Sequence, residues 1–128
     1  MAILVDTGAL ELLRRRDREV ESMAIRFYPP IICCHVAAEF PYGQILSKVP
    51  SSTLLRAREF LDSFEMLTPK RSTAGEYARI RASLKVEGRI IPDPDYWIAA
   101  HSIEEQIPLL STDTHFTHVP DLDLRLIS

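Results

Sequence analysis

The sequence of 128 residues has few glycines and cysteines and no long apolar run. Its 4 glycines exclude collagen-like and other glycine-rich chains. Its 2 cysteines, Cys33 and Cys34, are adjacent, and neighbouring cysteines rarely bridge, so we expect small buried residues in a reducing cytoplasm. No apolar run approaches the roughly 18 residues of a membrane helix, and the N-terminus does not match a signal peptide. We therefore expect a cytoplasmic protein with no membrane partner.

An excess of positive charge is also missing. The chain has 15 lysines and arginines against 18 aspartates and glutamates, for a formal net charge of -3. This balance excludes a protein that coats nucleic acid through a basic surface. An acidic enzyme can still cut nucleic acid when metal ions supply the positive charge at the phosphate. The length and the 46% hydrophobic content predict one globular domain over residues 1–128.

Continuous apolar runs alternate with amphipathic stretches along the chain. They predict strands at 2–5, 31–34, 64–68, 107–110 and 122–127, and helices at 9–18, 35–49, 52–65, 73–88 and 93–106. Pro41 is expected to kink or delay its helix, and Asp93 to cap the last helix. Apolar strands without alternation are typical of a parallel sheet covered on both faces. The predicted fold is a single three-layer α/β domain with a central parallel sheet flanked by helices.

Four carboxylates fall near the carboxyl ends of the predicted strands. Asp6 ends the first strand, Glu39 lies about one helical turn beyond the second, and Asp113 follows the strand at 107–110. Asp95 lies in the first turn of a helix near the same edge. Open parallel sheets bind ligands at this edge. Clustered carboxylates repel each other unless a cation neutralises them, and an all-oxygen set suits Mg²⁺ or Mn²⁺.

Each of these acidic residues also has a purely structural interpretation. Asp6 and Asp93 can be helix caps, Glu39 can lie on a solvated helix face, and Asp113 can be a turn residue.

The histidines and aromatic residues give weaker signals than the carboxylates. His115 and His118 are three residues apart, but without a third ligand they fit a surface loop better than a metal site. We assign no role to His101. Tyr96 and Trp97 fit packing between helix and sheet better than stacking on a base.

Four segments resemble the sequence elements of PIN-domain ribonucleases. The chain opens on Ile3-Leu-Val-Asp-Thr-Gly-Ala-Leu10 and continues with Ala38-Glu39-Phe40. The later segments are Ile90-Ile-Pro-Asp-Pro-Asp-Tyr-Trp-Ile-Ala-Ala-His101 and Leu109-Leu-Ser-Thr-Asp-Thr-His-Phe116. These segments occur in the family's order and at fitting spacing over nearly the whole chain, and a chain of this size is most similar to the VapC-type toxins.

The resemblance implies an Mg²⁺-dependent endoribonuclease, with Mn²⁺ as a possible substitute, that leaves a 5′-phosphate. It implies catalytic metal ligands at the four positions picked out above: Asp6, Glu39, Asp95 and Asp113. Thr7 and Ser111 would support this site, and Asp93 would either support it or only cap a helix. A type II toxin of this kind acts on RNA, is usually a homodimer and is held inactive by a small antitoxin protein.

Three departures from the family pattern stand out, and one of them is Pro41, inside the Glu39 element, which is expected to shift that helix. Gly8 replaces the usual small hydroxyl residue, and His115 stands where the family often has Asp, so a ligand role there is lost or altered.

Other functions remain to be weighed against this resemblance. Asp6-Thr7-Gly8-Ala9 also matches the aspartic-protease motif, but those enzymes are almost wholly β and need a glycine-rich flap. Receiver and dehalogenase-like phosphoryl-transfer domains fit poorly, because Gly8 replaces a required Asp and no lysine follows Lys85. A non-catalytic PIN-like binding module is the remaining alternative.

Overall fold

Five short strands form one sheet at the centre of the protein. A computed structural model describes residues 1–128 and contains strands β1 (Ile3–Val5), β2 (Pro30–Cys33), β3 (Met66–Leu67), β4 (Leu109–Ser111) and β5 (Leu124–Leu126). The strand order is β3-β2-β1-β4-β5, and every neighbouring pair is parallel. In the centre, Leu4 of β1 lies opposite Ile31 on one side and Leu109 on the other. The predicted central parallel sheet is therefore confirmed.

Six α-helices connect and flank the strands. They are α1 (Thr7–Arg14), α2 (Arg18–Arg26), α3 (Cys34–Leu46), α4 (Ser51–Asp62), α5 (Arg71–Val86) and α6 (Asp93–Glu105). A short 3-10 helix, Thr114–His118, follows β4. None of these helices is long and apolar enough to cross a membrane.

The strand order places a topological switch point between β1 and β4. From β1 the chain proceeds to β2 and β3 on one side of the sheet, whereas β4 and β5 lie on the other side. The connections that leave β1 and β4 therefore diverge, and a crevice opens between them at the carboxyl end of the sheet. This topology puts the residues that follow these two strands beside each other.

A single cluster of buried apolar side chains surrounds the sheet. It contains 24 residues, and all three residues of β1 have no exposed surface. Fully burying a side chain such as Leu4 stabilises the fold by roughly 2 kcal/mol relative to leaving it exposed. The central strand thus anchors the crevice to the most tightly packed part of the molecule.

The first helix differs from its prediction at both ends. It begins at Thr7 rather than at residue 9, because the Asp6 side chain caps it by accepting a hydrogen bond from the backbone N–H of Ala9. It ends at Arg14, since Arg16 adopts a positive φ of 63°. A separate helix, α2, then begins at Arg18 with Asp17 as its N-cap, and the sequence analysis missed it.

The starts of two other helices, α5 and α6, also differ from the prediction. Helix α5 begins at Arg71, two residues before the predicted start, and the Thr73 hydroxyl accepts a hydrogen bond from the backbone N–H of Lys70. Helix α6 has Pro92 as its N-cap, so Asp93 is the first helical residue and not the cap. Pro41 does not delay α3, which begins at Cys34 and includes the proline.

Candidate functional site

Asp6 lies at the end of the central strand, where β1 gives way to α1. One carboxylate oxygen, Oδ1, accepts the N–H of Ala9 at 2.9 Å, and the hydroxyl of Ser111 donates to Oδ2. The side chain is only 6% exposed. Burial raises the pKa of Asp6 from 3.8 to about 6, although the hydrogen bonds from Ser111 and Ala9 lower it in part. Asp6 is thus both a helix cap and a buried carboxylate.

Ser111 links Asp6 to the end of the neighbouring strand. Its buried hydroxyl oxygen accepts a hydrogen bond from the backbone N–H of Asp113 at 2.9 Å while the hydroxyl donates to Asp6. One side chain therefore positions acidic residues from both sides of the switch point.

Glu39 reaches the same crevice from α3. It lies in the second turn of a helix that begins directly after β2. The hydroxyl of Thr7 donates a hydrogen bond to Glu39 Oε1 at 2.9 Å, which connects α1 to α3 across the crevice. Thr7 thereby orients a carboxylate that is 32 positions away in the sequence.

Asp95 enters from the first turn of α6 and contacts a histidine. The Nε2 atom of His115 lies against Asp95 Oδ2, and its Nδ1 atom lies 2.6 Å from Asp113 Oδ1. Burial raises the pKa of Asp95, and the contact with His115 partly offsets this effect.

These residues line one cleft of about 240 Å³ at the carboxyl end of the sheet. Its walls contain all four predicted carboxylates, together with Thr7, Gly8, Pro92, Ile98 and Thr112. The negative charges of Asp95 and Asp113 each raise the pKa of Asp6, and that of Glu39 raises the pKa of Asp95. Such mutual repulsion favours a cation in the cleft, and oxygen donors are the ligands that Mg²⁺ and Mn²⁺ prefer.

Asp93 is the acidic site candidate that the structure keeps out of this cleft. Its carboxylate accepts a hydrogen bond from the Tyr77 hydroxyl and lies 3.4 Å from the guanidinium of Arg81. Asp93 and Asp95 are both in the first turn of α6 but point to different partners. The remaining predicted residues, including Thr7 and Ser111, are brought together.

The position of His115 corrects the interpretation of the two C-terminal histidines as a surface loop. The 3-10 helix turns the His115 ring inward between Asp95 and Asp113, whereas His118 lies beside Arg89 on the surface. The sequence contained one signal for this position of His115, namely its spacing of two residues from Asp113. At this spacing the Asp113 carboxylate caps the turn by accepting the backbone N–H of His115 at 3.3 Å.

The aromatic residues of α6 serve packing, in agreement with the preferred interpretation. Tyr96 is buried, and Trp97 stacks on Tyr77 on one side and on His35 on the other, with ring centroids at 4.4 Å and 5.4 Å. Gly8 and Thr112 line the cleft but were not predicted as partners. A Cβ atom added to Gly8 would lie 2.8 Å from the Thr112 hydroxyl oxygen, so the absence of a side chain there keeps this wall open.

The amino-acid sequence matches a known family. The PIN domain family model matches residues 3–122. The curated protein "Ribonuclease VapC2" from Haemophilus influenzae is 27% identical over 104 residues, which are 81% of this chain and 74% of that protein.

Solved structures have the same fold. VapBC2 from Rickettsia felis, bound to a promoter DNA fragment, matches with a TM-score of 0.84 and 22% identity over 100% of both chains. DNA-bound VapBC from Salmonella typhimurium matches with a TM-score of 0.85 and 19% identity, over 98% of this chain and 97% of that one. These matches confirm the predicted α/β fold.

Proposed function

This chain belongs to the PIN-domain family, and from that premise we propose that it is a metal-dependent endoribonuclease that acts as the toxin of a type II toxin–antitoxin pair. The observation that supports the proposal most strongly is the convergence of Asp6, Glu39, Asp95 and Asp113 from four separate elements on one cleft. We propose these four residues as the ligands of Mg²⁺, with Mn²⁺ as a substitute.

The donor set in the cleft fits a hard divalent cation. All four side chains offer carboxylate oxygens, and burial raises the pKa of both Asp6 and Asp95. A protein that holds several carboxylates in a partly buried cleft loses stability unless a positive charge compensates them. When bound there, a divalent cation supplies positive charge at the phosphate and a coordinated water of lowered pKa.

The protein residues around the cleft have distinct positioning roles. Thr7 orients Glu39, and Ser111 holds Asp6 and the backbone of Asp113. His115 supplies a hydrogen-bond donor between Asp95 and Asp113, where the family often has a further acid. Preorganised ligands of this kind raise metal affinity, because less side-chain freedom is lost on binding.

A groove that adjoins the cleft gives RNA a path to it. This groove of about 400 Å³ shares Thr7 and Glu39 with the cleft and is also lined by Arg14 and Arg15. Both arginines are paired with Glu11, at 2.6 Å and 3.0 Å, and their side chains are 40% and 66% exposed. Exposed pairs of this kind contribute little to stability, so the guanidinium groups are free to turn toward phosphates of the substrate. We propose single-stranded or loop RNA as the substrate class.

The toxin assignment rests on similarity to proteins with that role. The curated relative has the name of a VapC ribonuclease, and the structural neighbours are complexes of VapB with VapC. By analogy we propose a small antitoxin protein as partner and a homodimer as the toxin's own assembly.

Two neighbouring aspartates on α6 give a matched test of the proposal. Purified protein is incubated with end-labelled RNA in Mg²⁺, in Mn²⁺ and in EDTA, and the products are resolved by size. Asp95→Asn should lower the cleavage rate about 100-fold or more, because it removes a metal ligand worth several kcal/mol at the transition state. Asp93→Asn removes the same charge two residues away, outside the cleft, and should cleave at close to the wild-type rate.

Each outcome of this test has a clear meaning. Products with a 5′-phosphate that form only with the metal, and fail only in the Asp95 variant, support the proposal. Equal loss of activity in both variants would contradict the assignment of the cleft. Absence of cleavage in every metal, with RNA binding retained, would instead support the non-catalytic binding module.

The aspartic-protease alternative receives no support from the fold, since Asp6 caps a helix beside a parallel sheet.

A further inference from the structure

A second group of metal-binding side chains lies away from the carboxylate cleft. The Sγ atom of Cys33 and one ring nitrogen each from His35 and His101 all lie within 4.8 Å of one another. Cys33 ends β2, His35 follows in the first turn of α3, and His101 comes from the middle of α6. The group therefore joins three elements at one point.

His101 is the observation that distinguishes this group from ordinary core packing. The residue is only 1% exposed, and its Nε2 atom is fully buried without a hydrogen-bond partner. More than nine in ten buried polar groups in proteins have a partner, and an unpaired one costs about 1 to 3 kcal/mol. The same ring contributes a nitrogen to the group with the Cys33 thiol and the His35 imidazole, so this buried and incompletely paired side chain is placed to bind a ligand.

We propose that Cys33, His35 and His101 form a binding site for a thiophilic divalent ion, Zn²⁺, that is separate from the Mg²⁺ site. Thiolate sulfur and imidazole nitrogen are the donors that Zn²⁺ favours, whereas Mg²⁺ favours oxygen. Three protein ligands leave a fourth position for water, on the side of His35, which is the partly exposed member. The two sites of this chain thereby select different metals.

The surroundings of the three side chains are compatible with metal binding. Burial lowers the pKa of both His35 and His101, so both rings are held in the neutral form that binds metals. Burial raises the pKa of the Cys33 thiol to about 11, and the backbone N–H groups of Val36 and His35 partly offset this rise. Binding must release the thiol proton, which the positive charge of the ion favours.

Binding also requires a small closure of the group. Donor atoms around tetrahedral Zn²⁺ lie roughly 3.5 Å apart, given metal–ligand bonds of about 2.0 to 2.3 Å, so the present spacing must shorten. His35 can supply this movement, because its ring is partly exposed and rests on Trp97 with nearly parallel planes. The bound ion would tie α6, which holds Asp95, to α3, which holds Glu39. The inference itself does not depend on the proposed nuclease activity.

The test uses the two adjacent cysteines as a matched pair. The metal-free full-length protein is titrated with Co²⁺, which reports thiolate coordination through a sulfur-to-metal charge-transfer band. The chain contains only 2 cysteines, so the band must come from Cys33 or Cys34. We expect one Co²⁺ per chain in this band, displacement by Zn²⁺, and persistence in excess Mg²⁺. Cys33→Ser should abolish the band. Cys34→Ser should keep it, although the Cys34 Sγ lies 3.5 Å from Nδ1 of His35, because Cys34 is not part of the group of three ligands.

The histidine variants test the other two ligands. His35→Ala should weaken Co²⁺ binding at least tenfold, at a position that is partly exposed and loses only the stacking contact with Trp97. His101→Phe keeps a planar aromatic ring, although a somewhat larger one, and removes the unpaired nitrogen, so it should fold without metal and lose the band. Zn²⁺ should raise the Tm of the wild-type protein by about 3 °C or more, but not that of Cys33→Ser.

Several results would overturn the proposal. These are the absence of a band in the wild-type protein, a band that survives Cys33→Ser, a band that is lost with Cys34→Ser, and unchanged affinity in His35→Ala. Circular dichroism without metal checks the fold of each variant. If His101→Phe does not fold, His35→Ala and the cysteine pair decide the question alone.

Discussion

Replacing Asp6 with asparagine is expected to stabilise the metal-free protein at neutral pH while it abolishes metal-dependent cleavage. Asparagine has the same shape and is an equally good N-cap, so its side-chain oxygen can still accept the N–H of Ala9. The Ser111 hydroxyl can rotate to accept from the new amide. The substitution therefore removes the buried charge and keeps the helix cap, and its cost is the hydrogen bond that the Ser111 hydroxyl donates to Asp6 in the wild-type protein.

The magnitude follows from the raised pKa of Asp6. An aspartate in the unfolded chain has its usual pKa of 3.8, whereas Asp6 in the folded protein has a pKa of about 6, mainly because of burial. Between these two values the folded state binds more protons at Asp6 than the unfolded state, so the contribution of Asp6 to stability is greatest below pH 3.8 and is lost as the pH rises through 6. The difference corresponds to about 3 kcal/mol at pH 7.5. We expect Asp6→Asn to raise the free energy of unfolding by about 1 to 3 kcal/mol at pH 7.5 and to change it little at pH 4.

The assay is urea unfolding in EDTA at pH 4 and at pH 7.5. Asp17→Asn is the matched control, because Asp17 is the N-cap of α2, accepts the N–H of Val20 at 3.1 Å and lies outside the cleft. It should change the free energy of unfolding by less than about 0.5 kcal/mol at either pH. Added Mg²⁺ should stabilise the wild-type protein more than the Asp6 variant. A variant that is less stable than the wild type at pH 7.5 in EDTA would refute the reasoning.

Three further predictions concern the same cleft. Thr7→Val should lower the cleavage rate about tenfold, because Thr7 only orients the Glu39 carboxylate. Glu39→Gln should lower the rate further, and single-turnover rates compare the two variants. Ser111→Ala should reduce the free energy of unfolding by about 1 to 3 kcal/mol, as measured by urea unfolding, since a buried hydroxyl that joins Asp6 to Asp113 is lost. EDTA should abolish RNA cleavage, and added Mg²⁺ or Mn²⁺ should restore it. Ca²⁺ should not restore cleavage, because it favours longer bonds and more ligands. Full activity in EDTA would contradict a metal mechanism.

The amino-acid sequence by itself determined the layered fold and the positions of the carboxylates. The continuous apolar runs that became β1, β2 and β4 predict buried parallel strands, and Asp6 and Asp113 follow two of them. Local rules were sufficient here, because parallel strands end at a common edge. The same rules ended the first helix at residue 18 and missed α2, which follows the positive φ of Arg16 and begins at the cap Asp17.

Only the tertiary structure decided which side chains meet across elements. The resemblance assigned Asp95 to the metal site but left Asp93 open between a supporting role and a cap, and the packing of α5 on α6 directs Asp93 to Tyr77 while Asp95 faces the cleft. The turn after β4 brings His115 between two carboxylates. The crossing of α6 over the start of α3 brings His101 to Cys33, 68 positions earlier in the chain. Periodicity reports which face of an element is apolar, but contacts between distant polar side chains depend on how the helices pack on the sheet.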